Sequence, residues 1–350
     1  MNRINVILYI RTRESHLCQI ITGFMMLRDK KMIDLEIIDN SASDTAGPCG
    51  SFIEADINGV RVAYDAMDGY NGYSQFDDYL DSVSIYFKRS YSEVENKRFR
   101  NHNKIRPLGL FYRVHYPNLP IYPKKHMKDK VMDVIRRFSG RDYRFYPDFF
   151  ESKPNYRIAE IPNIFFGTRL WNPDGENDEV IASDQIRQER IDINDTRISL
   201  VRRLKDKYGS HFYGGINRTP FAESVCPDLI IDENLYRRDN YIRALKKKFD
   251  ICIGSSGLHQ SIGGKIGEYV AASKCIVAEE FSYTATPEFR EGENYLSFSS
   301  TDECLEKISW LVENPDQIRR IQDNNYNYYT QYLSPDVLIY NTIKQVLDLI

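Results

Sequence analysis

No stretch of this sequence approaches the roughly 20 consecutive apolar residues that a bilayer-spanning helix needs, and no short apolar leader precedes the strand-like run at Arg3 to Ile10. Cysteine is scarce. The six residues, at 18, 49, 226, 252, 275 and 304, make no C-x-x-C pair and no zinc-type spacing, and two of them fall inside strand-like apolar runs. That excludes a disulfide framework and fits a reduced compartment, so a cytoplasmic protein is expected. A surplus of one charge sign is also missing. With 47 Lys plus Arg against 50 Asp plus Glu there is no global basic field, which removes nucleic acid as the expected partner. What the chain does have is 350 residues, 42% of them hydrophobic and 28% charged, a globular composition long enough for two domains.

The most informative stretch is Phe249 to Glu280. Ile251 to Gly254 is short, small and β-branched, the composition of a buried parallel strand. A glycine-rich loop follows, then a helical segment expected over Lys265 to Ser273 and a second strand from Cys275 to Ala278. Such a unit sets a helix N-terminus beside the carboxyl end of a parallel strand, a place where phosphates bind. Lys265 adds a full positive charge there, and Glu268, three residues on, shares its helix face. The two are either a phosphate cation with a carboxylate for ribose hydroxyls, or a surface ion pair.

These residues resemble the donor-binding half of GT-B-fold glycosyltransferases: a small-residue loop, a helix carrying a Glu, a strand, and a turn of the form P-x-x-x-x-G-x-N, here Pro287 to Asn294. The resemblance covers about 160 to 335. It implies that Glu268 holds the donor ribose, that Lys265 and its neighbours hold the diphosphate, and that the backbone of Ser255, Ser256, Gly257 and Leu258 meets the phosphate or base. Gly167-Thr168-Arg169-Leu170 is similar, with one extra residue, to the G-R-L-like turn that opens this domain in GT-B enzymes, which implies that Arg169 neutralises charge on the leaving diphosphate; a surface arginine after a strand is the other reading. One departure is plain. Many retaining members carry a second glutamate at the position of Gln260, so retention of configuration is an expectation from the wider resemblance alone.

Taken in order, the remaining chain reads as strands at Arg3 to Ile10, Ile33 to Ile38, Val60 to Tyr64, Val83 to Phe87 and Leu108 to Val114, with turn residues over Gly47 to Gly59. Asp65 and Asp68 follow a strand, where open α/β sheets keep functional groups. They are either a base for a substrate hydroxyl or an Asx-type turn. His115, at a predicted strand end, is either a general base or structural. Neither pair nor neighbours make the D-x-D of metal-dependent sugar transfer, and no metal or cofactor is expected. Helices are predicted over Met127 to Phe138, Ile186 to Tyr208 with Ile198, Val201 and Leu204 inward, Arg238 to Phe249, Asp302 to Val312, Pro315 to Tyr332 and Pro335 to Ile350. The basic face at Arg243 and Lys246 to Lys248 suits an anionic membrane surface or plain solvent.

The expected architecture is α/β: two Rossmann-like domains facing across a cleft in the GT-B manner. Residues 1–145 are the acceptor domain, 146–162 the linker, 163–335 the nucleotide-sugar donor domain, and 336–350 a C-terminal helix packing back on the first domain. The expected activity is metal-independent sugar transfer from a nucleotide-sugar to a glycan or lipid-linked acceptor, in cell-surface polysaccharide synthesis. A sugar-nucleotide epimerase and a non-catalytic nucleotide-sugar or glycan-binding protein are the alternatives.

Overall fold

The structure, a computed structural model, describes residues 3–41, 47–73, 75–121, 147–176, 181 and 183–350. The helix expected over Met127 to Phe138 lies outside the described residues, as does the start of the expected linker. By contact the chain divides into two compact α/β units. The first comprises Met1–Phe150, Ser282–Glu288 and Tyr328–Ile350, the second Glu151–Phe281 and Phe289–Asn327.

The first unit is built on six strands: β1 (Ile4–Ile10), β2 (Ile33–Asp39), β3 (Phe52–Ile57), β4 (Val60–Asp65), β5 (Ile85–Lys88) and β6 (Ile105–Pro107), in the order β2-β1-β3-β4-β5-β6. Only β3 runs against its neighbours. It fills part of the stretch read as turn residues, and it pairs with β4 through Asn58-Gly59, both at positive φ, the residue pair that a two-residue hairpin turn favours. Leu108 to Val114 is not a strand. Leu108 still donates to the Lys88 carbonyl at 2.9 Å, but Pro107 brings no N–H to a ladder and Gly109, at φ +118°, turns the chain away. The helices α1 (Cys18–Asp29) and α2 (Phe76–Ser82) pack on this sheet, and Ala63, Phe76, Leu80, Val83, Tyr86 and Ile105 make one buried cluster.

The C-terminal helix, Pro335–Leu347, belongs to the first unit and lies against α1. The two approach so closely at Gly23 that a Cβ there would stand 2.2 Å from the Pro335 carbonyl oxygen and 2.4 Å from Ile339. Gly23→Ala therefore trades a helix-propensity gain of about 1 kcal/mol for a clash with backbone that costs more. A net loss of about 1–2 kcal/mol is expected in urea unfolding of the first unit; an unchanged or raised midpoint would show that the helices part without cost.

The second unit holds β7 (Ile164–Thr168), β8 (Phe212–Ile216), β9 (Ile251–Gly254), β10 (Cys275–Glu279) and β11 (Leu296–Phe298), all parallel, in the order β11-β10-β9-β7-β8. Renumbered from β7, that is the 2-1-3-4-5 order of a doubly wound sheet, whose topological switch falls between β7 and β9. Its helices include α3 (Asp184–Tyr208), α4 (Arg238–Lys247), α5 (Gly264–Ala271), α6 (Thr301–Glu313) and α7 (Pro315–Tyr328). Both units are thus Rossmann-like α/β layers. No helix among the described residues is long and apolar enough to cross a membrane.

Candidate functional site

The switch point of the second unit is physically open. β7 and β9 pair only at Ile164 with Ile251 and Phe165 with Cys252. Beyond those residues β7 stays with β8 and β9 with β10, so the two strands part toward their carboxyl ends. Ligands of doubly wound sheets bind in such a crevice. Three segments line it here: the loop after β7, the loop after β9, and the start of α5, whose N-cap, Gly263, has no side chain to occupy the first free N–H groups.

Lys265, second residue of α5, reaches across the parting strands and donates to the carbonyl of Gly167, an oxygen on the open side of β7. Glycine is required at 167 for this path, since a Cβ there would lie 3.3 Å from the Lys265 nitrogen and 2.8 Å from the Phe165 ring. Burial against Phe165 and Tyr241 pulls the ammonium down from its ordinary 10.5 to about 8, with Arg238 and Arg197 adding repulsion and Glu268 opposing both. Glu268 is 4% exposed. One carboxylate oxygen accepts from the Arg238 guanidinium and the other from the Tyr241 hydroxyl at 2.9 Å. The pair expected from sequence to be mutual neighbours thus each find a different partner, within one cluster of charged heads.

Arg169 opens the loop that follows β7. Its Nη2 donates to both oxygens of Glu176, at 2.7 and 2.8 Å, while its guanidinium stacks 3.8 Å from the Trp171 ring centre. Ser255 and Ser256 line the crevice, but part of the loop's backbone is already engaged. The Ser256 N–H donates to Glu279 at 2.5 Å and the Gly257 N–H to the Ser261 carbonyl at 2.9 Å, and the Leu258 carbonyl accepts from Ser261. A phosphate would meet two of these expected donors only by displacing Glu279 or opening the 257–261 turn.

The residue of this site that sequence reasoning missed is Arg197, on α3. It is 5% exposed and ties the two loops together: Nη1 to the Arg169 carbonyl at 2.6 Å, Nη2 to the Ser256 carbonyl at 2.7 Å, Nε to the Ser255 hydroxyl at 3.1 Å. Arg190, Asn194, Arg197, Val201 and Leu204 recur at i, i+4, i+7, i+11 and i+14 on α3 and are all buried. The lower part of that stripe is apolar and packs on the sheet; the upper part is polar because there is no sheet beneath it. Arg197 stands level with the strand ends, so the helix from Asp184 projects about 20 Å past them and walls the crevice. Asn194 exchanges two hydrogen bonds with the backbone of Trp171, at 2.9 and 2.7 Å, and Glu189 accepts the His259 N–H at 2.7 Å. The signal was available in sequence as charge at positions where an amphipathic stripe demands apolar side chains.

The first unit's candidates are differently placed. Asp65 does end β4 on the carboxyl edge, but it is 0% exposed. Its carboxylate meets Lys88 at 3.0 Å, accepts from the Tyr73 hydroxyl and accepts the Met67 N–H at 2.7 Å. A carboxylate sealed in this way has no face for an incoming hydroxyl, and its bond from the Met67 N–H, two residues on, is the Asx-type turn that was the other reading of this residue. Asp68 pairs with the buried Arg89 at 2.7 Å. His115 is buried in the irregular segment after Gly109, not at a strand end. No group of three or more His, Cys, Asp or Glu among the described residues is arranged to hold a metal ion.

No protein-family model and no curated protein matches the chain. Solved structures similar to it include HepE of Anabaena in complex with UDP-glucose, 12% identical with a TM-score of 0.46, covering 99% of this chain and 100% of that one. A glycosyltransferase of Rickettsia africae is 13% identical with a TM-score of 0.43, covering 80% and 68%. The UDP-GlcNAc 2-epimerase of Neisseria meningitidis bound to UDP-GlcNAc is 12% identical with a TM-score of 0.38, covering 77% and 63%.

Proposed function

We propose that this protein is a glycosyltransferase that moves a sugar from a nucleoside diphosphate sugar, held in the β7–β9 crevice, to a hydroxyl-bearing glycan or lipid-linked acceptor bound by the first unit. The observation that carries the reading is the open switch point between β7 and β9, where Lys265, at the uncapped start of α5, reaches the Gly167 carbonyl and Arg197 ties the two flanking loops together. In the reaction the bond from the anomeric carbon to the phosphate oxygen breaks and one to the acceptor oxygen forms. The diphosphate leaves with the electron pair, and with Asp65 sealed the acceptor's proton goes to a departing phosphate oxygen. Cations placed at the leaving group act mainly in the transition state, so they affect turnover more than donor binding. Retention of configuration and a part in surface polysaccharide synthesis belong to the proposal on the sequence resemblance, action without a metal on the missing D-x-D, and a cytoplasmic place on the cysteine usage. The neighbours bound to UDP-glucose and UDP-GlcNAc make uracil the first base to try.

Calorimetric titration with UDP, GDP, CDP, dTDP and ADP, with and without Mg²⁺ and across pH 6.5 to 9.5, tests it. One nucleotide should bind without metal, with an affinity that is flat below about 8 and weakens above it as Lys265 loses its proton. Stability of the free protein should run the other way. The folded lysine releases its proton near 8 and the unfolded one near 10.5, so the unfolded chain binds more protons between these values and stability rises with pH there. Lys265→Met should remove both trends. Binding of none of the five nucleotides would overturn the assignment. Binding with product formed from donor alone would point to an epimerase, and binding without turnover to a binding protein.

A further inference from the structure

Glu268 is fixed from one side by a single helix. Arg238 and Tyr241, three residues apart on α4, share a face of it, and each takes one oxygen of the carboxylate. Tyr241 is 6% exposed and its hydroxyl is pushed well up, first by burial and then by the neighbouring carboxylate, so it stays protonated and donates. The Arg238 side chain is 30% exposed, so its outer edge meets solvent. Two charge-assisted or buried donors, one per oxygen, hold the plane of the carboxylate. Each carboxylate oxygen accepts at more than one position, so a second acceptor site on each remains. What is left is a pair of acceptors at fixed spacing, the complement of two adjacent hydroxyls.

We infer that Arg238 and Tyr241 are positioning residues that set Glu268 to read the vicinal diol of the donor ribose. This rests on the reading of Glu268 as the ribose partner. A carboxylate free to rotate would still attract one hydroxyl but would lose the second bond, so the two residues govern discrimination between ribose and a sugar lacking the diol, and leave the diphosphate contacts untouched.

Isothermal titration with matched ribo- and 2′,3′-dideoxynucleoside diphosphates of uracil, cytosine, guanine and adenine separates the possibilities. The wild type should prefer the ribo form by roughly tenfold or more, the loss expected for a buried charged acceptor deprived of its donors. Glu268→Gln should level the two forms. Arg238→Met and Tyr241→Phe should each cut the preference several-fold while affinity for the dideoxy form holds, and Arg238→Lys should restore part of it. If the wild type shows no preference, or Glu268→Gln keeps it, the reading of Glu268 itself is wrong. If Glu268→Gln levels the forms but Arg238→Met and Tyr241→Phe keep the full preference, only the positioning role falls. It falls equally if those two variants weaken both forms alike, because that is the mark of a purely structural pair.

Discussion

Lys88→Met is expected to destabilise the first unit by about 3–5 kcal/mol, the cost of stripping one partner from a buried ion pair. Lys88 and Asp65 are both 0% exposed, and their nitrogen and oxygen stand 3.0 Å apart. The ammonium also lies 4.5 Å from the ring centre of Tyr70 and donates to the Tyr73 hydroxyl, so methionine keeps the aliphatic packing and loses every polar contact at once. Asp65 would then be left with the Tyr73 hydroxyl and the Met67 N–H, but no cation. Burial and the Asp65 charge hold the Tyr73 and Tyr86 phenols well above their ordinary range, so both stay neutral and neither adds a second negative charge beside Asp65. Adding Asp65→Asn to Lys88→Met removes the orphaned charge and is expected to recover more than half of the loss. Both tryptophans lie in the second unit, so the measurement is amide hydrogen exchange of β4 and β5, with urea unfolding by far-ultraviolet dichroism beside it. A cost below about 1 kcal/mol for the single variant would mean that water reaches the pair. The same lysine also pins the 65–73 loop through Tyr70 and Tyr73.

Legibility in the sequence followed the number of independent signals at each place. From Ile251 to Glu279 three coincide: a β-branched run, a cluster of glycines, and a return to small apolar residues. The observed β9, α5 and β10 fall within two residues of expectation. The β3–β4 hairpin carries an equally strong signal in Asn58-Gly59 between FIEADI and VRVAY, but Gly47 to Gly50 before it weighs the whole segment toward a turn. Leu108 to Val114 fails for the opposite reason. Its composition is right for a strand, and one left-handed glycine cancels it. At the candidate site, residue types were readable and partners were not. Lys265 and Glu268 share a helix face as their spacing requires. Whether they pair with each other depends on Gly167, 98 residues from Lys265, and Arg238, 30 residues from Glu268, and no local pattern encodes that.

Arg197→Lys is expected to do more damage than Arg169→Ala, although Arg169 is the cation that the sequence offers first. The Arg197 guanidinium spans three acceptors on two loops with a rigid planar set of N–H groups, and a lysine ammonium reaches at most one loop at a time. The carbonyls of Arg169 and Ser256 would then be buried with a donor missing, each at a cost of about 1–3 kcal/mol, so a loss of about 3 kcal/mol in the second unit follows. Burial, and the repulsion of Arg169 behind it, lower Arg197 to about 10, which still leaves it charged at neutral pH, so the effect is one of geometry and not of protonation. Arg169 is 39% exposed on its side chain and its pair with Glu176 is an ordinary surface contact worth at most about 1 kcal/mol. Its truncation should spare stability and cost only nucleotide turnover. Tryptophan fluorescence reports the second unit directly, because Trp171 sits between the two arginines' segments and Trp310 on α6. Urea midpoints by fluorescence, set against turnover of the nucleoside diphosphate sugar for each variant, therefore separate the residue that builds the crevice from the residue that uses it. If Arg197→Lys kept the wild-type midpoint, the two loops would be held by something other than this guanidinium, and the crevice would have to be rebuilt from Asn194 and the Trp171 backbone alone.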